Sequence, residues 1–406
     1  MKAVKNSIFL YIAYAWNFIG GFIQLKLLTH DLPREVLGKY FFASGLGILI
    51  GSVAQIGFPY VFQRFIPRYD HEKRQNDKLI VIWFSLIFHI AVMLLTIPVM
   101  FIVLKGNTGY ILIYIGFYLT SHMDLFFNVY ISQRKAEPVT VLRGVYYGIL
   151  IVMLLAMRPL TVLKTSYAIL TGTIFVLILT YMHLPLPKNL SFSEFKRVFS
   201  EIKRYFIYAL YTHLLGPLFM YIDRIMIPPI LGYGALGTFQ IARKLEQGAR
   251  GFLFVPMAAF APEFAKLYEE ESHEVSFSIL KKLTFVYAVS GAIITVLFVI
   301  FGKQLIILVS NREYLFAYPH LVILMASFFF SLLYAPYTTY RRARDGMDFF
   351  FKVNAVWLIA FLIFIPLTVK RLQLFAFSFG MLFATLVVLV YCILDLRKMQ
   401  IKNKKG

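Results

Sequence analysis

Twelve apolar stretches, each about as long as a bilayer core is thick, leave this chain one environment in which to fold. A helix needs roughly 20 apolar residues to cross the hydrocarbon. Stretches of that kind lie near 8–28, 40–63, 79–104, 110–131, 141–157, 160–181, 206–231, 236–260, 283–302, 318–338, 353–369 and 372–394. Hydrophobic residues make up 60% of the sequence, well beyond what a soluble domain carries. The expected fold is therefore all-α and integral to a membrane, with about twelve transmembrane helices. Lys2 and Lys5 precede the first stretch as they would in a signal peptide, but no small-residue cleavage site follows, so it reads as a retained span. The single cysteine, Cys392, excludes an intramolecular disulfide.

The net charge of +21 would suggest nucleic acid in a soluble protein. Between so many apolar stretches it reads instead as membrane topology and contact with anionic lipid, with no nucleic acid partner. With the N-terminus placed in the cytoplasm and the loops assigned alternately, 27 of the 41 Lys and Arg residues fall inside and 10 outside. The remaining 4, Arg224, Arg243, Lys244 and Arg250, fall within the apolar stretches. A wrong span count would scramble that alternation, so both termini are expected in the cytoplasm of a multi-pass protein.

The polar connection 182–205, with Pro185, Pro187 and the basic run SEFKRVFSEIKRY, reads as a cytoplasmic linker whose second part is an interfacial amphipathic helix. It separates a six-helix lobe, 1–181, from a second six-helix lobe, 206–406, which ends in a basic tail. Six is even, so the lobes enter the membrane in the same direction, as parallel repeats do. A short internal echo agrees: LGKYFFASG from Leu37 corresponds to LGTFQIARK from Leu236, and Phe58-Pro59 to Val255-Pro256, at an offset of about 198.

Polar residues three or four apart share a helix face and mark the helices that line an interior. Such stripes are Asn17, Gly21 and Gln24; Ser52, Gln55, Pro59 and Gln63, followed by Arg64; and Ser121, Asp124 and Asn128, beside His122. Others are His213, Pro217 and Arg224; Gln240, Arg243, Gln247 and Arg250; and Ser327, Ser331, Tyr334 and Thr338. Ser, Thr, Asn and Gln also hydrogen-bond between membrane helices without any ligand, and His89, outside any stripe, reads as a packing residue. Charges at membrane depth are costly and mark functional sites by default.

Asp223 and Lys244 lie at similar distances from a turn expected between Tyr233 and Gly234. Both would sit roughly 12–16 Å from the outer end of a helical hairpin, near mid-bilayer. They are expected to pair, leaving Arg224, Arg243 and Arg250 to present positive charge to a cavity.

This hairpin, DRIMIPPILGYGALGTFQIARKL, resembles the seventh-to-eighth helix signature of bacterial polysaccharide flippases, members of the multidrug/oligosaccharidyl-lipid/polysaccharide transporter superfamily. The first hairpin resembles the same family through Gly38-Lys39-Tyr40, Gly57 and Arg64-Phe65, whereas Pro228-Pro229 departs from the family's Gly-containing run. The resemblance implies two six-helix lobes around a central cavity that opens to either side in turn. It also implies a cargo of oligosaccharide repeat units linked by diphosphate to undecaprenol. On that reading Arg64, Arg143, Arg224, Arg243 and Arg250 are candidates for the diphosphate, and Gln55, Asn128, Gln240 and Gln247 for the sugars. Asp124 and Asp223 are candidates for coupling to H+ or Na+, or serve as counter-ions; no other cofactor is implied. Partners would be membrane lipids and the polymerase and chain-length regulator of an O-antigen, capsule or exopolysaccharide pathway. Two rivals remain open: an integral-membrane polymerase or glycosyltransferase of that pathway, and a cation-coupled drug exporter. The first would need a sizeable outer loop or paired acids, and the second a cavity suited to cations, which arginines oppose.

Overall fold

The computed structural model describes residues 2–189, 191–270, 273–345 and 347–403. The last basic residues of the expected tail, Lys404 and Lys405, lie outside the described residues. Regular structure among the described residues is helical throughout. The first helices are α1 (Lys2–Asp31), α2 (Arg34–Ala54), α3 (Phe58–His71), α4 (Gln75–Val103), α5 (Thr108–Ser132), α6 (Ala136–Ala156) and α7 (Val162–Met182). They continue with α8 (Phe192–Leu231), α9 (Tyr233–Glu270), α10 (His273–Val309), a short 3-10 turn, Arg312–Ala317, then α11 (Tyr318–Asp345), α12 (Met347–Leu372) and α13 (Phe375–Asn403). Eleven of the described helices are long and apolar enough to cross a membrane. The eighth expected span, α9, is not among these eleven, and it carries Arg243, Lys244, Glu246 and Arg250 within a few residues.

Two expectations about helix boundaries are corrected. The stretch 40–63 is not one helix: α2 ends at Ala54 and α3 begins at Phe58. Between them Gly57 adopts φ +85°, open to glycine without strain. A Cβ there would lie 2.7 Å from the Ala209 carbonyl carbon, so glycine also permits the close approach of α8. Pro59 follows in the first turn of α3, where its missing N–H costs nothing. α3 is amphipathic, burying Phe58, Val61, Phe62, Phe65, Ile66 and Tyr69 and exposing Gln63, Arg64 and Arg68. The polar stripe expected from Ser52 to Gln63 therefore breaks at the turn.

The basic run after residue 191 is the start of α8, not a separate linker helix. Ser191 caps it by accepting from the Glu194 N–H, a serine-to-glutamate capping pattern. Its first turns bury Val198 and Ile202 and stack Phe195 on Phe84 of α4, with ring centroids 4.1 Å apart. At 40 residues α8 is roughly 60 Å long, twice the thickness of the hydrocarbon core.

The chain divides into two compact units, Met1–Gly237 and Thr238–Gly406. The division falls at the start of α9 rather than within 182–205, because α8 packs along α2, α3 and α4. Within the first unit α2 packs on α5, α5 on α7, and α1 on α6. Small residues let the helices approach: Gly51 lies against Ser121, and Gly116 against Ile169. Asp31 fastens the end of α1, accepting from Arg158 at 2.6 Å and from the Leu160 N–H at 2.9 Å. In the second unit α10 packs on α11, and α11 and α12 on α13. Buried hydroxyls tie α11 to α13, with Ser327 2.9 Å from Thr385.

Candidate functional site

The hairpin that carries the interior charges turns at Gly232, slightly before the expected position. Gly232 has φ +85° and donates its N–H to the Pro228 carbonyl at 2.9 Å. The two echoing glycines meet near this turn. A Cβ on Gly38 would collide with the Tyr233 carbonyl oxygen, and one on Gly237 would fall 2.6 Å from that of Arg34. Backbone therefore packs directly on backbone where α2 and α9 begin. Phe42 and Lys39 of α2 also flank the Tyr233 ring, at 5.6 Å each.

α9 carries a dense group of charged and amide side chains, most of them withdrawn from the surface. Gln240, Arg243 and Glu246 are buried, and Arg250 and Gln247 half-buried. The acid was not singled out by the polar stripes, yet it organises the group. Glu246 Oε2 accepts from Arg243 Nη1 at 2.5 Å, and Glu246 Oε1 from Arg250 Nη2 at 2.7 Å and Nε at 2.8 Å. Arg250 reaches α11 as well, donating to Ser331 Oγ at 3.3 Å with its guanidinium over the Phe328 ring at 5.7 Å. Arg243 and Arg250, expected to present positive charge to a cavity, share one carboxylate as counter-ion. The signal was present, since Glu246 stands three residues after Arg243 and four before Arg250, the spacings at which helical ion pairs form.

Arg143 of α6 donates to Asp124 Oδ1 of α5 at 3.1 Å and lies over the Phe127 ring at 5.1 Å. Asn128 spends its amide on the Asp124 backbone carbonyl, and Gln55 donates to the Ser121 carbonyl at 2.8 Å and to Ser121 Oγ at 3.0 Å, tying α2 to α5. Arg224 and Asp223 are both buried on α8, the arginine over the Tyr221 ring at 4.9 Å and against Gly45. Arg64 is exposed on the polar face of α3, over the Tyr205 ring at 4.6 Å. Asp223 belongs to the first unit and Lys244 to the second. His89 is satisfied by packing, as expected: it contacts the Gly51 carbonyl at 2.8 Å and His122 at 3.1 Å, and His122 in turn reaches the Tyr181 hydroxyl at 2.7 Å. A cavity of about 470 Å³, lined by Asp70, Lys78, Lys135 and His183 among others, includes none of the candidate residues.

Arginines clamped by single carboxylates hold several hydrogen-bond donors in fixed orientation. Guanidinium groups so placed match carboxylate and phosphate oxygens alike.

Comparison with known proteins places the fold and the family. No curated protein matches the sequence. Among solved structures the fold is similar to the lipid II flippase MurJ in an inward closed conformation, with TM-score 0.74 at 14% identity, covering 97% of this chain and 87% of that one. It is also similar to a point mutant of the Vibrio cholerae MATE transporter VcmN, with TM-score 0.70 at 11% identity over 98% and 96% of the two chains. A transporter of the MOP superfamily from Pyrococcus furiosus follows, with TM-score 0.63 at 12% identity over 98% and 96%. Residues 3–268 match the family described as polysaccharide biosynthesis protein, and the chain belongs to that family.

Proposed function

We propose that this multi-pass membrane protein is a flippase. It carries oligosaccharide repeat units, linked by diphosphate to a polyprenol such as undecaprenol, across a bacterial cytoplasmic membrane by alternating access. The observation that carries the reading is the α9 arginine pair, Arg243 buried and Arg250 half-buried, in a chain of the polysaccharide biosynthesis family. A diphosphate needs positive charge to leave the headgroup region, sugars need amide and hydroxyl partners, and the polyprenyl tail can remain in lipid. Arg224, Arg243 and Arg250 serve the diphosphate, Arg143 and Arg64 its approach, and Gln55, Asn128, Gln240 and Gln247 the sugars. Asp124 and Asp223 serve as coupling groups for H+ or Na+, and both termini lie in the cytoplasm. Turnover involves no covalent chemistry, so the chain acts as a transporter rather than an enzyme.

Deletion of the gene in its host tests this. The lipid-linked repeat unit is expected to accumulate on the cytoplasmic leaflet, protected from an impermeant sugar-modifying reagent added outside. Single units accumulating on the outer leaflet would instead identify a polymerase.

A further inference from the structure

Glu246 is the one residue of the α9 group that the transport reading leaves without a task. Its side chain is 1% exposed, and each of its oxygens is held by a different arginine. A structural role explains this weakly. Buried ion pairs are expensive to desolvate, and apolar side chains of similar volume often stabilise as well or better. Nor do the pairs within the trio join distant segments, because Arg243, Glu246 and Arg250 all lie on one helix.

The arrangement has the form of a loaded anion site. Two guanidinium groups converge on one anion and take separate oxygens of it. Arg250 is braced from α11 by the Ser331 hydroxyl and the Phe328 ring. Phosphate oxygens are recognised by the same forked donors that bind a carboxylate. We infer that Glu246 is an internal stand-in for the diphosphate: it occupies Arg243 and Arg250 while the carrier is empty, and the diphosphate of the lipid-linked cargo displaces it. The inference rests on the proposed function and adds a competitor to it. The carboxylate keeps the buried Arg243 and the half-buried Arg250 neutralised on the empty return stroke. By re-forming its pairs it then drives the headgroup off at the far side. Affinity is thereby limited in exchange for release.

The sign of one measurement separates this from a purely structural counter-ion. The purified full-length chain in nanodiscs is titrated with farnesyl diphosphate, a short polyprenyl diphosphate. Glu246→Gln removes the competing charge but keeps an acceptor oxygen, and is expected to bind about tenfold more tightly than wild type while transporting cargo more slowly. Glu246→Asp, whose shorter carboxylate cannot span both arginines, is expected to bind more tightly by a smaller factor, and covers the case in which the glutamine variant fails to fold. Equal or weaker binding by a folded variant overturns the inference and leaves the flippase reading standing. If neither wild type nor variants bind farnesyl diphosphate, the diphosphate reading of α9 falls, and this inference with it.

Discussion

Arginine and carboxylate cluster in two places in this molecule, and the same pairing chemistry does different things in each. At the helix ends between α3, α4 and α8, Arg74 meets Glu201 at 2.8 Å, Asp77 at 2.8 Å and Glu72 at 3.1 Å. Arg68 adds Glu72 at 2.7 Å, and Arg197 closes on Asp77. Side-chain exposure there is 30% for Arg74 and 26% for Glu201, against 4% for Arg243 and 1% for Glu246 on α9. Exposed pairs contribute roughly 0–1 kcal/mol each, whereas removing one partner of a buried pair costs about 3–5 kcal/mol. The interfacial network also joins separate helices, tying the start of α8 to the α3–α4 turn. The ion pairs of the α9 trio form within one helix. Pairs that are costly and tie no elements together are better explained by what they bind than by what they stabilise.

The largest expected effect breaks this comparison if it is absent. Glu246→Ala strands the buried Arg243 and leaves the half-buried Arg250 without its carboxylate, and should lower stability by about 3–5 kcal/mol, read as a fall in thermal midpoint in a fixed detergent. Glu201→Ala, measured alongside, should cost roughly 1 kcal/mol or a little more, since it loses partly exposed pairs. Equal losses would mean that α9 is wetter than its burial implies. Next in size, Gly38→Ala should cost about 1–3 kcal/mol, because its methyl would drive into the Tyr233 carbonyl. Gly21→Ala, with open space around it, should be neutral or slightly stabilising.

A charge pair between Asp223 and Lys244 remains our proposal. A double-mutant cycle to alanine should show a coupling of about 1 kcal/mol or more, and additive losses would remove the pair. The smallest effect lies in the interfacial network. Hydrogen bonds from Arg68, and then from Arg74, hold the Glu72 carboxyl below the usual carboxylate range. A depressed pKa gives stability that is present above the unfolded value, about 4.3, and is lost as pH falls through the folded one. The thermal midpoint of wild type should therefore fall slightly toward that of Glu72→Gln below about pH 4.5, with a constant difference between pH 6 and 8.

The sequence made the span architecture and the charged hairpin legible for one physical reason: hydrocarbon length and the cost of charge in lipid act on each segment separately. What it hid depends on packing. The break at Gly57 lies inside an apolar run, and only the approach of α8 requires a glycine there. Net charge drew attention to the basic face of residues 192–205, although Phe195, Val198, Ile202 and Phe206 recur at helical spacing and continue into α8. A polar stripe of amides and cations, Gln240, Arg243, Gln247 and Arg250, passes over Glu246. An acid between two arginines at spacings of three and four was readable from the same residues. The meeting of Gly38 with the start of α9 belongs to tertiary structure alone, and the echo of Leu37 in Leu236 hinted only at a repeat.

The central claim is that this chain moves a diphosphate-linked lipid and uses the α9 arginines to do so. Proteoliposomes holding polyprenyl-diphosphate oligosaccharide in both leaflets, probed with an impermeant sugar-oxidising reagent, measure it directly. With the wild-type chain the whole pool should become accessible. With a folded Arg243→Gln/Arg250→Gln variant the inner-leaflet half should stay protected. A wild-type chain that leaves that half protected, or a variant that exposes it as quickly, would contradict the account.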